Sequence, residues 1–67
     1  MTNLPDKNVL WRHIRTGNIY RIILFTNLHS TRLGQYPPTV CYQNVSDPEL
    51  IWSRPLESWF DSFAEYH

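Results

Sequence analysis

Turn-forming residues divide this chain into short apolar segments, and that division limits what it can fold into more than any other feature. The longest apolar run, over residues 22–25, has the length of a strand and is far too short to cross a membrane. The segments are rich in isoleucine, valine and aromatic residues, which favour pleated strands. Four strands are therefore predicted, over residues 9–15, 19–28, 39–43 and 50–54.

The residues Thr16-Gly17-Asn18 predict a turn that joins the first two strands into a hairpin, because glycine and asparagine tolerate positive φ. With a two-residue loop, strand alternation sorts the side chains onto two faces. One face carries Trp11, His13, Arg15, Tyr20, Ile22 and Leu24. The other face carries Leu10, Arg12, Ile14, Ile19, Arg21, Ile23 and Phe25. A loop of odd length or a bulge would exchange the faces.

Proline ends the last predicted strand and starts a helix. Pro55 cannot donate to a sheet ladder, whereas proline suits the first turn of a helix. The residues after it place four apolar side chains at i, i+3, i+4 and i+7, which is one helical face. These residues are Leu56, Trp59, Phe60 and Phe63. The face is expected to close the open end of the sheet.

The chain is short, and its core must be aromatic. A domain of 67 residues buries only about 60% of the surface that it exposes when unfolded, so its stability is marginal. Ten aromatic residues make a core feasible without disulfides or a metal. After a flexible arm over residues 1–8, we predict a mainly β domain over residues 9–67. It is a small SH3-like β-barrel, or a strongly bent four- to five-stranded antiparallel sheet, with one short C-terminal helix. An open four-stranded sheet with the helix on one face is the alternative.

Several short motifs follow one another in an order that resembles a known family. They are Trp11-Arg12-His13, Gly17, Tyr20-Arg21, His29-Ser30-Thr31, Tyr42-Gln43, Trp52-Ser53-Arg54-Pro55-Leu56 and Trp59-Phe60. The pattern resembles the DUF1653-like family of short bacterial and phage proteins of unknown function, over about residues 9–63. The acidic residue of the family's His-Ser-Glu-Thr stretch has no counterpart here. The resemblance implies a small β-barrel of bacterial or phage origin and supplies no function.

The cysteine and histidine residues form no disulfide or metal-binding pattern. Cys41 is the only cysteine, so no intrachain disulfide can form and a reducing compartment is expected. None of His13, His29 and His67 lies at zinc-ligand spacing. The N-terminus lacks the basic start and apolar stretch of a secretory signal. We expect a cytoplasmic protein of a bacterium or a phage-infected host cell, with no metal, no cofactor and no membrane insertion.

The sequence does not predict catalysis. His29 and Ser30 are neighbours in the sequence, and their side chains would point in different directions, so they do not form a base and nucleophile pair. Cys41 lies in a predicted strand, where a cysteine is more often a small core residue than a reactive thiol. The carboxylates lie in turns and in the predicted helix. We therefore predict a binding protein without enzymatic activity.

Charge is divided unevenly along a chain that is neutral overall. Residues 1–33 hold five of the six basic residues and a single acid, Asp6, whereas residues 34–67 hold five acids and Arg54. Guanidinium groups match phosphate geometry and stack on bases. The division favours an anionic partner for the basic half, although a barrel that mixes both halves would cancel it.

Arginine, histidine and aromatic residues interleave along the predicted strands and form the candidate ligand-binding set. The set comprises Arg12, His13, Tyr20, Arg21, His29, Ser30, Thr31, Tyr42, Trp52 and Arg54. One or two guanidinium groups, a histidine and an aromatic plate could hold a small anionic, nucleotide-like ligand. Structural roles are the alternative, with Tyr20 and Trp52 in the core. In that case Arg54 would pair with Glu57 or Asp61.

The leading hypothesis is a non-enzymatic, phage-encoded binding protein that captures a small anionic ligand or a host factor in counter-defence. The alternative is a protein-interaction module that binds and blocks a host protein. Single-stranded nucleic acid is a further alternative, which the zero net charge and the lack of a basic run disfavour. An exposed strand edge would also allow a homo-oligomer.

Overall fold

Five antiparallel strands form one open sheet in the computed structural model, which describes residues 4–67. The strands are β1 (Leu10–His13), β2 (Ile19–Thr26), β3 (Thr39–Asn44), β4 (Ile51–Pro55) and β5 (Phe63–Tyr66). Their order across the sheet is β4-β3-β2-β1-β5, so β4 and β5 form its two edges. The predicted mainly β fold is confirmed, as a sheet that does not close into a barrel.

The β1–β2 hairpin confirms the predicted sorting of side chains at its base. Trp11 lies opposite Tyr20, and we call the face that carries this pair the inner face. The connection is longer than predicted, because the His13 N–H donates to the Asn18 carbonyl at 2.8 Å and residues 14–17 form the turn. A loop of even length keeps the same side chains together, which is why the sorting survives.

A β-bulge in the middle of β2 exchanges the two faces beyond it. Ile22 pairs with Tyr42 of β3, but the register then shifts between Ile22 and Leu24. Ile23 is the extra residue, and one extra residue inverts the alternation of the side chains after it. Leu24 is therefore 43% exposed on the outer face and Phe25 packs against the core, which corrects the predicted face of both residues.

The C-terminal segment forms a strand where the helix was predicted to continue. A 3-10 turn (Leu56–Ser58) leads into a short helix, α1 (Trp59–Ser62), and β5 follows at once. The predicted helical face is wrong for Phe63, which lies in β5, and for Phe60, which is half exposed. Residues 63–66 pair with the free edge of β1, and this ladder satisfies backbone groups that a further helical turn would leave unpaired.

The helical segment covers the inner face and completes an aromatic core. Trp59 and Phe63 stack face to face, with their ring centroids 3.9 Å apart and their planes at 6°. Trp11 meets Trp59 edge to face at 5.7 Å between centroids. Aromatic pairs in these arrangements add about 0.5–1.5 kcal/mol beyond the area that they bury. The buried residues are Trp11, Tyr20, Ile22, Val40, Tyr42, Leu56, Trp59 and Phe63.

The predicted arm over residues 1–8 lies partly outside the described residues, which begin at Leu4. Within the described part, Pro5 is buried against the domain. The Asp6 carbonyl accepts the indole N–H of Trp11 at 2.9 Å. Asp6 therefore contacts Trp11, and this hydrogen bond satisfies the one donor of the Trp11 side chain.

The hairpin turn depends on the positive φ of Gly17. Its φ is +78°, a conformation that costs a residue with a Cβ about 1 kcal/mol or more. We expect Gly17→Ala to lower the free energy of unfolding by about 1 kcal/mol in urea denaturation. Gly34→Ala is the matched control, because Gly34 has no positive φ and nothing within 4 Å of an added Cβ. Equal losses in the two variants would contradict this account of the turn.

Candidate functional site

The ten residues of the candidate ligand-binding set lie in three places. Five lie on the inner face or its edge: His13, Tyr20, Tyr42, Trp52 and Arg54. Arg12 and Arg21 lie on the outer face, on β1 and β2. His29, Ser30 and Thr31 lie in the loop between β2 and β3. The fold therefore brings half of the set together and places the other two arginines on the opposite side of the sheet.

The inner-face aromatics of the set form one contact group around Trp52. The ring centroid of Tyr20 lies 5.4 Å from that of Tyr42 and 5.7 Å from that of Trp52, and both contacts are edge to face. The ring centroids of Tyr42 and Trp52 lie 6.1 Å apart. Tyr20 and Tyr42 are buried, whereas Trp52 is 41% exposed. The two tyrosines therefore belong to the core, and Trp52 is the ring of this group that remains exposed.

Arg54 packs on the core without a carboxylate. Its Cζ lies 5.2 Å from the centroid of the Phe63 ring, and its Nε and Nη1 are buried without a hydrogen-bond partner. Within residues 4–67 the one ion pair joins His67 to Glu65 at 3.5 Å, so neither Glu57 nor Asp61 neutralises Arg54. Arg54 is half-buried overall, and its two buried N–H-bearing nitrogens without a partner cost free energy, which an acceptor or a ring from a partner would offset.

The outer-face arginines are exposed and lie close to each other on neighbouring strands. Arg12 lies opposite Ile19, and Arg21 lies opposite Leu10, two residues along the ladder. None of the paired strand residues that share this face is an Asp or a Glu. A cleft of about 40 Å³ beside Arg21 is lined by Arg21, Gln43, Asn44, Val45 and Pro48. That cleft is too small for a nucleotide.

His13 and the loop residues of the set make local contacts. The Nδ1 of His13 accepts the Thr16 N–H at 3.2 Å, and its ring lies edge to face with Phe63 at 5.0 Å. In the loop, Ser30 Oγ accepts the Arg32 N–H at 3.1 Å. These contacts support the hairpin turn and the loop, and they do not bring His29 or Ser30 to the inner-face group.

A second cavity is lined by none of the candidate set. Its volume is about 190 Å³, and it is lined by Leu33, Pro37, Pro38, Leu56 and Glu57. Small-molecule sites usually enclose about 300–1,000 Å³. The lining is mostly apolar, and its one charged group is a carboxylate, so this cavity does not suit an anionic ligand.

The edge strand β4 presents consecutive apolar side chains that the candidate set included only in part. Ile51 and Trp52 of β4 and Leu50 just before it are all exposed, and Ile51 is the most exposed of the three at 58%. A strand with one solvated face alternates apolar and polar residues, and this run does not. This lack of alternation is visible in the sequence at residues 50–52.

Two hydrogen bonds beyond the ends of β4 fix which of its backbone groups point toward β3. The Asn44 N–H donates to the Leu50 carbonyl at 3.1 Å, and the Leu56 N–H donates to the Pro38 carbonyl at 2.8 Å. Bonded and non-bonded positions alternate along an antiparallel ladder. The even-numbered residues of β4 therefore direct their N–H and C=O groups to β3.

The odd-numbered residues of β4 direct their backbone groups out of the sheet. Ile51 and Ser53 each offer one N–H and one C=O, and Pro55 offers only a C=O. Such a row of unpaired groups is a template for another strand. We call these groups, together with the side chains of residues 50–54, the β4 edge.

The opposite edge, β5, also has backbone groups that point out of the sheet. The Ile14 N–H donates to the Ser62 carbonyl at 2.9 Å, so by the same alternation Glu65 points its backbone groups outward. The carboxylate of Glu65 lies 3.5 Å from His67. Each edge strand carries one charged side chain, Glu65 on β5 and Arg54 on β4, so charge does not distinguish the two edges. β4 differs in its adjacent exposed apolar side chains, Ile51 and Trp52.

Two other features, a metal-binding cluster and a membrane-spanning helix, are absent from the described residues. Within residues 4–67 no three His, Cys, Asp or Glu side chains lie close enough together to hold a metal ion. No helix in the described part of the chain is long and apolar enough to cross a membrane. A scan against protein-family models, a search of curated proteins and a search of solved structures found no match to this chain.

Burial raises the pKa of Tyr42 above its ordinary value of 10.0, and the nearby Arg54 charge opposes the rise. Above pH 10.0 the unfolded chain loses this proton before the folded chain does, so stability falls as the pH rises. We expect Tyr42→Phe to reduce the slope of this alkaline loss in urea denaturation from pH 8 to 11. Tyr36→Phe, which removes an exposed hydroxyl, is the matched control. An unchanged slope in Tyr42→Phe would contradict the burial of this hydroxyl.

Replacing Arg54 with an apolar side chain separates a structural role from a binding role. Methionine keeps the packing on Phe63 and removes the unpaired buried N–H groups. We expect Arg54→Met to leave the free energy of unfolding unchanged or to raise it by about 1 kcal/mol. The control is Arg12→Met on the exposed outer face. If urea denaturation shows that Arg54→Met lowers the free energy of unfolding by about 2 kcal/mol or more, Arg54 stabilises the fold and the expectation is contradicted.

Proposed function

We propose that this chain is a non-enzymatic protein-interaction module that adds an extended segment of another protein to the β4 edge. The observation that carries the proposal is a run of exposed apolar side chains, Leu50 just before β4 and Ile51 and Trp52 within it, beside the unpaired side of this strand. Strand addition draws its affinity from main-chain hydrogen bonds and its specificity from alternate side chains. On β4 those side chains include Trp52 and Arg54 on the inner face and Ile51 on the outer face.

Arg54 supports this proposal by its surroundings. Its guanidinium group lies on Phe63 with two nitrogens unpaired, one residue beyond the centre of the free strand. A partner segment that pairs with Ser53 has its neighbouring side chains beside Trp52 and Arg54. A carbonyl, a carboxylate or an aromatic ring at that position would offset the unpaired charge.

A small anionic, nucleotide-like ligand is a second candidate, and the outer face favours it. Arg12 and Arg21 are exposed there, without a paired strand residue of opposite charge on that face. The inner-face aromatics lie on the other side of the sheet, so the ligand would be held by charge and by Gln43 rather than between rings. Single-stranded nucleic acid would use the same two arginines, and its binding would fall steeply with salt.

The fold assignment and the setting of the chain are part of the proposal. The order β4-β3-β2-β1-β5, with a 3-10 turn before the last strand, supports an SH3-like assignment. The resemblance to the DUF1653-like family supports a bacterial or phage origin and a cytoplasmic location. In a phage-infected cell, a partner captured on β4 would be a host protein that the chain blocks.

A proline placed at the centre of the β4 edge tests the proposal. The Ser53 N–H points away from β3, so Ser53→Pro removes a donor of the free edge without breaking a bond to β3. Glu65→Pro makes the same change on the β5 edge and is the matched control. In affinity capture from bacterial lysate, we expect proteins retained by the parent chain and by Glu65→Pro to be lost with Ser53→Pro. Equal capture by all three chains would contradict recognition through β4.

Calorimetry against a panel of nucleotides tests the second candidate. The second candidate predicts that Arg12→Ala and Arg21→Ala each weaken nucleotide binding at least tenfold and that Ser53→Pro leaves it unchanged. This result would favour the anionic ligand over the protein partner. If calorimetry detects no heat of binding with any nucleotide, the small anionic ligand is contradicted.

A further inference from the structure

We propose that a second copy of this chain occupies the β4 edge, as a symmetric antiparallel pair centred on Ser53. The inference rests on the same free edge as the proposed function and names its occupant in the absence of another partner. The two copies would form one continuous sheet of ten strands. A partner segment would then have to displace the second copy before it could bind.

The register follows from the length of the strand. β4 runs over Ile51–Pro55, so Ser53 is its central residue, and pairing Ser53 with itself uses the whole strand of both copies. The outward groups then meet as hydrogen-bonded positions: Ser53 faces Ser53, and Ile51 faces Pro55 of the second copy. Each Ser53 donates its N–H to the Ser53 carbonyl of the other copy. Each Ile51 N–H donates to the Pro55 carbonyl of the other copy. Because Pro55 has no N–H, the reciprocal bond to the Ile51 carbonyl is missing at each end, and about four of the six main-chain bonds of this register can form.

The side chains of this register complement one another on the inner face. Trp52 of one copy lies opposite Arg54 of the other, at a non-bonded position where side chains approach most closely. Arg54 already has Phe63 on one side, at 5.2 Å, so Trp52 of the second copy would cover it from another side. Cation–π contact of this kind favours association, and symmetry forms it twice.

The charges of the strand permit this pairing. Arg54 is the one charged residue of β4, and the centred register places it against a tryptophan rather than against the other Arg54. The chain as a whole has no net charge, and proteins near zero net charge associate more readily than charged ones. Pairing also brings the exposed Ile51 of each copy against Pro55 of the other on the outer face.

Sedimentation velocity of the full chain over a range of concentrations tests the pair. We expect a monomer–dimer equilibrium that Ser53→Pro weakens at least tenfold and that Glu65→Pro leaves unchanged. Trp52→Ala and Arg54→Ala should each weaken it, and the double variant should lose less than the two single losses combined, because the residues contact each other. Circular dichroism confirms that each variant is folded.

A disulfide at the two-fold axis gives a second measurement that does not depend on the proline variant. Cys41 lies opposite Ser53 within the chain, so the experiment uses a Cys41→Ser background. Facing residues at a bonded position have Cα atoms about 5.5 Å apart, which a disulfide spans. Ser53→Cys should therefore form a covalent dimer under mild oxidation, whereas Ala64→Cys, on the outer face of β5, should not.

The outcomes separate this inference from the proposed function. A chain that stays monomeric, with no Ser53→Cys crosslink, overturns the symmetric pair, yet it leaves capture of another protein by β4 to the lysate experiment. A dimer that persists in Ser53→Pro also overturns the pair, because association would then use another surface. A dimer weakened by Ser53→Pro, together with capture of no other protein, supports the pair and contradicts the proposed function.

Discussion

The stacking of Phe63 on Trp59 is the contact on which the arrangement of the sheet depends. The two rings lie 3.9 Å apart and nearly parallel, and they link the short helix to the first residue of β5. Because Phe63 also lies opposite His13, this contact holds β5 on the β1 side of the sheet. β4 at the other side receives no strand from its own chain, and an open edge is the consequence.

The features that depend on single residues were predicted from the sequence, whereas the features that depend on strand pairing were not. The positive φ of Gly17 and the strand end at Pro55 depend on single residues, so the sequence indicates both. The bulge at Ile23 and the strand at Phe63 depend on which neighbours are available for pairing. Phe63 fits both a helical face and a strand, and only the free edge of β1 decides between them. Such choices are not encoded in a short window of sequence.

The same reasoning explains why the candidate site was predicted only in part. Alternation correctly grouped Tyr20 with Trp11, because this pair is sorted by its own hairpin. It could not indicate that Arg12 and Arg21 lie across the sheet from Trp52, since that depends on how the strands assemble. Nor could it indicate that β4 is an edge. The sequence therefore identified side chains that could bind a ligand, and the strand order shows which of them lie on the edge strand β4.

Amide hydrogen exchange measured by NMR, residue by residue along β4, tests most directly whether this strand has a free side that accepts another strand. At low protein concentration, the amides of Ile51 and Ser53 should exchange almost as fast as in an unfolded chain, while those of Trp52 and Arg54 are protected by β3. Raising the concentration should slow Ile51 and Ser53 alone. Equal protection of all four amides at every concentration would contradict the account, because β4 would then have no free side.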